Sequence, residues 1–209
     1  MSTTLIITAL TIGVVHTLLG PDHYLPFIFL SKTRGWSLRK TALITLVCAV
    51  GHIAGSVILG FAGIWFGINV LKLENIESMR GDIAAWALMA FGMAYFIWGL
   101  RKALKYNIEN PTERAGTTAW VLFIIFALGP CEPLIPVLMY PAAENSGVFY
   151  TLLTAAVFGA ATIMTMLAIV LGACYGFSFI KLKNVAKWSH ASAGFAILAC
   201  GFSMQFLGL

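Results

Sequence analysis

The chain has 209 residues, 60% of them hydrophobic and only 10% charged, with a mean hydropathy of +0.90. Soluble domains carry about 25% charged residues, so the composition excludes an ordinary soluble domain and indicates an integral membrane protein. The net charge of +5 collects between apolar blocks, where it orients the chain and attracts anionic lipid; it does not point to nucleic acid.

Charged neighbours bound six apolar blocks, near residues 4–30, 41–70, 83–100, 118–142, 148–180 and 188–208. Each reaches or approaches the roughly 20 residues that a helix needs to cross a bilayer. The pattern predicts an all-α integral membrane protein with six transmembrane helices in a single domain over 1–209. The first block lacks a basic leading segment and runs on through a polar motif, so it reads as a retained span and not as a secretory signal. All 13 Lys and Arg residues fall between blocks or at their ends. Lys32, Arg34, Arg39 and Lys40 follow the first block, Lys72 and Arg80 the second, Arg101, Lys102, Lys105 and Arg114 the third, and Lys181, Lys183 and Lys187 the fifth. Basic loops stay cytoplasmic. Connections 1, 3 and 5 are therefore expected inside and both termini outside, in the cytoplasmic membrane of a prokaryote.

Of the eight acidic residues, Glu74, Glu77, Asp82, Glu109, Glu113 and Glu144 also fall in or beside predicted loops. Asp22 and Glu132 are then the carboxylates expected inside, where an ionisable residue is a functional candidate. Both sit in a repeated motif, GPDHYLP at 20–26 and GPCEPLIP at 129–136. Leu19-Gly20-Pro21 aligns with Leu128-Gly129-Pro130 at an offset of 129 − 20 = 109, and Gly99-Leu100 aligns with Gly208-Leu209 at the same offset. Repeats of about 1–105 and 115–209, with three helices each, must enter the membrane in opposite directions. Such inverted repeats place a site near the midplane, between the halves, where helices break. Proline frees backbone groups that then need partners, so helices 1 and 4 are expected to be proline-broken and to line a cavity.

His16, Asp22 and His23 form the pattern HxxxGPDH. In the second block Cys48, His52 and Ser56 share one helix face, with Gly51 and Gly55 beside it. Imidazole with carboxylate suits first-row divalent metals, and a thiolate from Cys131 shifts the preference toward softer ions; magnesium and calcium do not favour such a set. The candidate metal ligands are His16, Asp22, His23, His52, Cys131 and Glu132. Plainer readings stand beside them: Asp22 as a helix cap, His23 and His52 as hydrogen-bonded interior residues, Cys131 as an inert thiol, and the second-block face as packing. His190, Trp36, Trp65, Trp98 and Trp120 read as interfacial residues, and Met164 and Met166 as packing. The small-residue faces at Gly51/Gly55 and Gly159/Ala160 suit contacts within or between chains, which leaves the oligomeric state open.

HTLLGPDH, residues 16–23, resembles the HxxxGxDH signature in the first helix of the hydrogenase- and urease-accessory nickel permeases. It is similar as well to the His/Asp-His motifs of the wider nickel/cobalt transporter group, including urease-accessory-like transmembrane domains. The resemblance implies metal handling by His16, Asp22 and His23. GPCEPLIP is similar to the Pro-Cys motifs of the transmembrane thiol carriers of the cytochrome c biogenesis and DsbD type, which have six helices in inverted halves and use one cysteine from each half. Here Asp22 stands where a first-half cysteine would be, and thiol exchange needs a second sulfur, which Cys48, Cys174 or Cys200 would have to supply.

The expected function is a secondary transporter, not an enzyme, for a divalent transition-metal ion: nickel or cobalt first, then iron or zinc. No tightly bound cofactor is expected; the partners are the ion, membrane lipid, and a metallochaperone or thiol protein. The alternative is a membrane thiol–disulfide electron carrier using Cys131. An anion exporter is disfavoured because no Lys or Arg falls inside the predicted helices.

Overall fold

The computed structural model describes residues 2–104, 115–143, 147–178 and 186–207. Among the described residues all regular structure is helical. It comprises α1 (Ser2–Leu19), a 3-10 turn (Pro21–His23), α2 (Leu25–Thr33), α3 (Leu38–Trp65), α4 (Val70–Leu104), α5 (Ala115–Leu128), α6 (Leu134–Ala143), α7 (Val148–Ser178), a second 3-10 turn (Ala186–Trp188) and α8 (Ser189–Leu207). Helices α3, α4, α7 and α8 are long and apolar enough to cross a membrane, and the bent α1–α2 pair makes a fifth candidate. Helices α5 and α6, with 14 and 10 residues, are each shorter than a span. An apolar exterior that includes Trp65, Trp86 and Trp120 fits an integral membrane protein.

Both expected breaks are present. At the first, the chain bends by 82° between α1 and the segment that follows Gly20. Gly20 is extended, at φ −89 and ψ 93, and Pro21 opens the 3-10 turn, because a residue without an N–H costs least at a helix start. The turn closes through His23 N–H to Gly20 O at 3.1 Å. At the second break α5 stops at Leu128, and α6 restarts with Leu134 N–H bonded to Cys131 O at 2.9 Å. Pro130 and Pro133 lie in the gap and cannot donate.

One boundary departs from expectation. Helix α4 starts at Val70 instead of near 83, so Lys72, Glu74, Glu77, Arg80 and Asp82 lie on a helix and not in a loop. Hydropathy falls where these charges crowd, which is why the segment reads as a connection. Glu77 and Arg80, at i and i+3, pair at 2.6 Å and let the helix continue. Glu77 is fully buried, whereas Glu132 is exposed. The expectation that Asp22 and Glu132 alone remain inside is corrected accordingly, as is the absence of Arg from helices. The placements expected for Lys105, Glu109, Glu113, Arg114, Glu144, Lys181 and Lys183 lie outside the described residues.

Helices α4 and α8 pack antiparallel and close: Gly92 lies against Leu198, and Gly201 against Met89. The missing side chains let two backbones approach. Further contacts cross between the chain's halves, α1 and α2 against α7, and α5 and α6 against α3, while α6 also packs on α7 within the second half. Gly51 meets Phe123 and Gly159 meets Ile53, so these small-residue faces serve contacts within the chain. Two apolar clusters form the interior, one around Phe27, Leu88, Phe126 and Ile197, the other around Ile53, Cys131, Leu138 and Phe158. His52 lies near the middle of α3, with 52 − 38 = 14 residues before it and 65 − 52 = 13 after it.

Candidate metal centre

Four donor side chains converge between the two apolar clusters. His16 comes from the last turn of α1, His23 from the 3-10 turn after the bend, His52 from the middle of α3 and Cys131 from the α5–α6 break. The His16 and His23 ring centroids are 4.8 Å apart, and those of His23 and His52 are 5.1 Å apart. Both pairs meet edge to face. Nε2 of His16 lies 4.0 Å from Sγ of Cys131. One donor atom each from His16, His52 and Cys131 lies within 4.8 Å of the others. Metal bonds of about 2.0–2.3 Å hold tetrahedral donors roughly 3.5 Å apart, so an ion would draw this set inward by about 1 Å.

Hydrogen bonds to backbone carbonyls fix which nitrogen of two rings carries a proton. Nδ1 of His52 lies 3.3 Å from Phe126 O, and Nδ1 of His23 lies 3.2 Å from both Gly20 O and Asp22 Oδ1. A carbonyl accepts only, so each Nδ1 carries the proton and donates. In the neutral ring the lone pair is then on Nε2, and the buried Nε2 atoms of His23 and His52 have no hydrogen-bond partner. Burying a polar atom without a partner is costly, whereas an imidazole whose Nδ1–H bonds a carboxylate or carbonyl is the usual form of a metal-ligating histidine. Asp22, with its side chain 15% exposed, stands behind His23 and orients it.

A cavity of about 700 Å³ reaches the cluster, and His16, Asp22, His23, Asp82, Glu132 and Gln205 are among its lining residues. Among the described residues its lining holds three acidic side chains, Asp22, Asp82 and Glu132, and no Lys or Arg, so its field favours cations. It lies at one end of the α4–α8 pair, where Gln205 donates to Asp82 at 3.1 Å. The opposite end carries Lys102 beside His190, 3.5 Å apart.

The chain was compared with protein-family models, curated proteins and solved structures. It matches none of them. The reading of this site therefore stands on its own geometry.

Of the six residues expected at the site, His16, His23, His52 and Cys131 come together, Asp22 supports His23, and Glu132 lines the approach. Three others hold the break, and two of them escape a reading of the sequence. Ser56 accepts from Cys131 N–H at 3.1 Å, Glu77 Oε2 accepts from the same N–H at 3.2 Å, and Arg80 bonds Ala127 O and Gly129 O at 3.1 and 3.4 Å. Helical spacing had placed Ser56 on the His52 face; nothing in the sequence connects Glu77 or Arg80 to residue 131. Among the remaining thiols, Cys48 and Cys200 pack in the other apolar cluster, and Cys174 lies 3.0 Å from Ser31 Oγ.

Proposed function

We propose that this protein is a secondary transporter for a divalent transition-metal ion, with nickel or cobalt the first candidates, carried through a His/Cys site between inverted three-helix repeats. The observation that carries the reading is the group of His16, His52 and Cys131 donors within 4.8 Å of one another, with the buried Nε2 atoms of His52 and of the adjacent His23 left without hydrogen-bond partners. Imidazole and thiolate donors suit borderline or soft divalent ions and not magnesium or calcium.

The repeat is supported by the crossed contacts, α1 with α7 and α5 with α3. The close-packed glycines of α4 and α8 add to it, since 201 − 92 = 109 is again the motif offset. Counting α5 and α6 as one broken span, like α1 and α2, gives six spans. With the basic end facing the cytoplasm, the acidic cavity opens to the outer face and collects cations there. The apolar cluster around Phe27 and Phe126, whose rings are 4.7 Å apart, closes the route to the other side. Cation entry then requires the two halves to move against each other, the alternating access of inverted-repeat carriers.

Uptake into proteoliposomes tests this, with nickel, cobalt, iron, zinc and manganese offered to wild type, Asp22→Asn and His23→Ala. The expected outcome is uptake of nickel or cobalt by wild type and a loss of at least tenfold in His23→Ala. Equal uptake in all three proteins would refute the site.

A further inference from the structure

We propose that Glu77 and Arg80 act as a clamp that positions Cys131, supplying from α4 the hydrogen bonds that the α5–α6 break cannot make for itself. A helix end leaves its last carbonyls unpaired, and a helix start leaves its first N–H groups unpaired. Arg80 Nη2 donates to Ala127 O at 3.1 Å and to Gly129 O at 3.4 Å, at the end of α5. Its Nη1 donates to Glu77 Oε1 at 2.6 Å and to Ser56 Oγ at 3.4 Å. Glu77 Oε2 and Ser56 Oγ in turn accept from Cys131 N–H, the first backbone donor after Pro130. One ion pair thus closes both sides of the gap. Position 55 leaves room for it: a Cβ on Gly55 would lie 2.5 Å from Arg80 Nη2.

Buried ion pairs are weak sources of net stability, and this one is placed where it sets geometry. Glu77 is fully buried and the Arg80 side chain is 19% exposed. With its N–H held by two acceptors, Cys131 aims its sulfur at His16, 4.0 Å away. The first break is satisfied differently, within its own segment, by His23 Nδ1–H to Gly20 O and Tyr24 O–H to Leu18 O. At the repeat offset Glu77 and Arg80 correspond to Ala186 (77 + 109) and Ser189 (80 + 109), so the second half holds no matching pair. The Cys131 half is thus fixed by another helix, while the His16–His23 half depends on its own turn.

The proposal rests on the metal-site reading, and its test separates the two. In the full chain purified in detergent, maleimide labelling with peptide mass mapping reads Cys131 without metal, and added Co²⁺ reads the Cys131 bond through a thiolate-to-cobalt absorption band. Glu77→Gln keeps an oxygen for Cys131 N–H, and Glu77→Ala does not. Glu77→Ala should label Cys131 at least tenfold faster and lose the band, with Cys48 labelling unchanged, while Glu77→Gln stays within about threefold of wild type. Wild-type labelling and absorption in Glu77→Ala, or equal disruption in both variants, would overturn the clamp. If Glu77→Ala also exposes Cys48, and so unfolds, Ser56→Ala decides: a two- to fivefold faster Cys131 labelling supports the clamp and an unchanged rate overturns it. Absence of any cobalt binding in wild type would overturn the metal reading, and the labelling comparison would still decide the clamp.

Discussion

At His23 the two ring nitrogens have separate tasks. Nδ1–H is held by Gly20 O and Asp22 Oδ1, and Nε2 is buried without a hydrogen-bond partner. Removing an orienting carboxylate behind a ligating histidine typically weakens metal binding 10–100-fold. Asp22→Asn is accordingly expected to lose roughly that much nickel affinity in titration calorimetry, with less loss than His23→Ala. A Cβ at position 20 would lie 2.5 Å from His23 Nδ1 and 2.9 Å from Asp22 Oδ1. Gly20→Ala should therefore weaken metal binding at least tenfold while leaving helical circular dichroism unchanged; undiminished affinity would show that the turn does not set the site. Protons compete with metal for imidazole and thiolate, so metal binding should weaken as pH falls. His16, Asp22 and His23 were legible because they crowd into eight residues of an apolar block, and His52 because helical spacing put it on a polar face. Glu132 departs from expectation in burial alone: it is exposed, and it lines the same cavity as Asp22.

The two broken segments were readable from their Gly-Pro pairs, since proline ends a helix for a local steric reason that needs no knowledge of the fold. The start of α4 was not, because its charges are matched by tertiary partners. Glu77 pairs locally with Arg80, but its second oxygen serves Cys131, 54 residues away. No local pattern encodes that contact. The repeat pair Gly99-Leu100 lies in the α4–α8 contact, where Gly99 meets Ala191 as Gly92 meets Leu198 and Gly201 meets Met89, while Gly208-Leu209 fall outside the described residues. Gly92→Leu would wedge these backbones apart, and overpacking typically costs about 1–3 kcal/mol. A lower thermal unfolding midpoint in detergent is expected; an unchanged midpoint would mean that the two helices are not in close contact.

Over the whole molecule, charge and shape point the same way along one axis. The acidic cavity lies at the end of the α4–α8 pair marked by Asp82 and Gln205, and Lys102 and His190 mark the other. A membrane-impermeant maleimide applied from outside is expected to label Gln205→Cys and not Lys102→Cys; the reverse pattern would invert the orientation. Composition alone made the membrane class legible, but neither the depth of the cavity nor the side on which it opens, because both depend on how the crossed halves pack. The central claim is that His16, His23, His52 and Cys131 hold a transition-metal ion. X-ray absorption at the nickel or cobalt edge of the metal-loaded protein tests it most directly. Imidazole nitrogen plus one sulfur scatterer is expected, with the sulfur lost in Cys131→Ser and the imidazole count reduced in His23→Ala. A first coordination sphere of oxygen alone, identical in all three proteins, would contradict it.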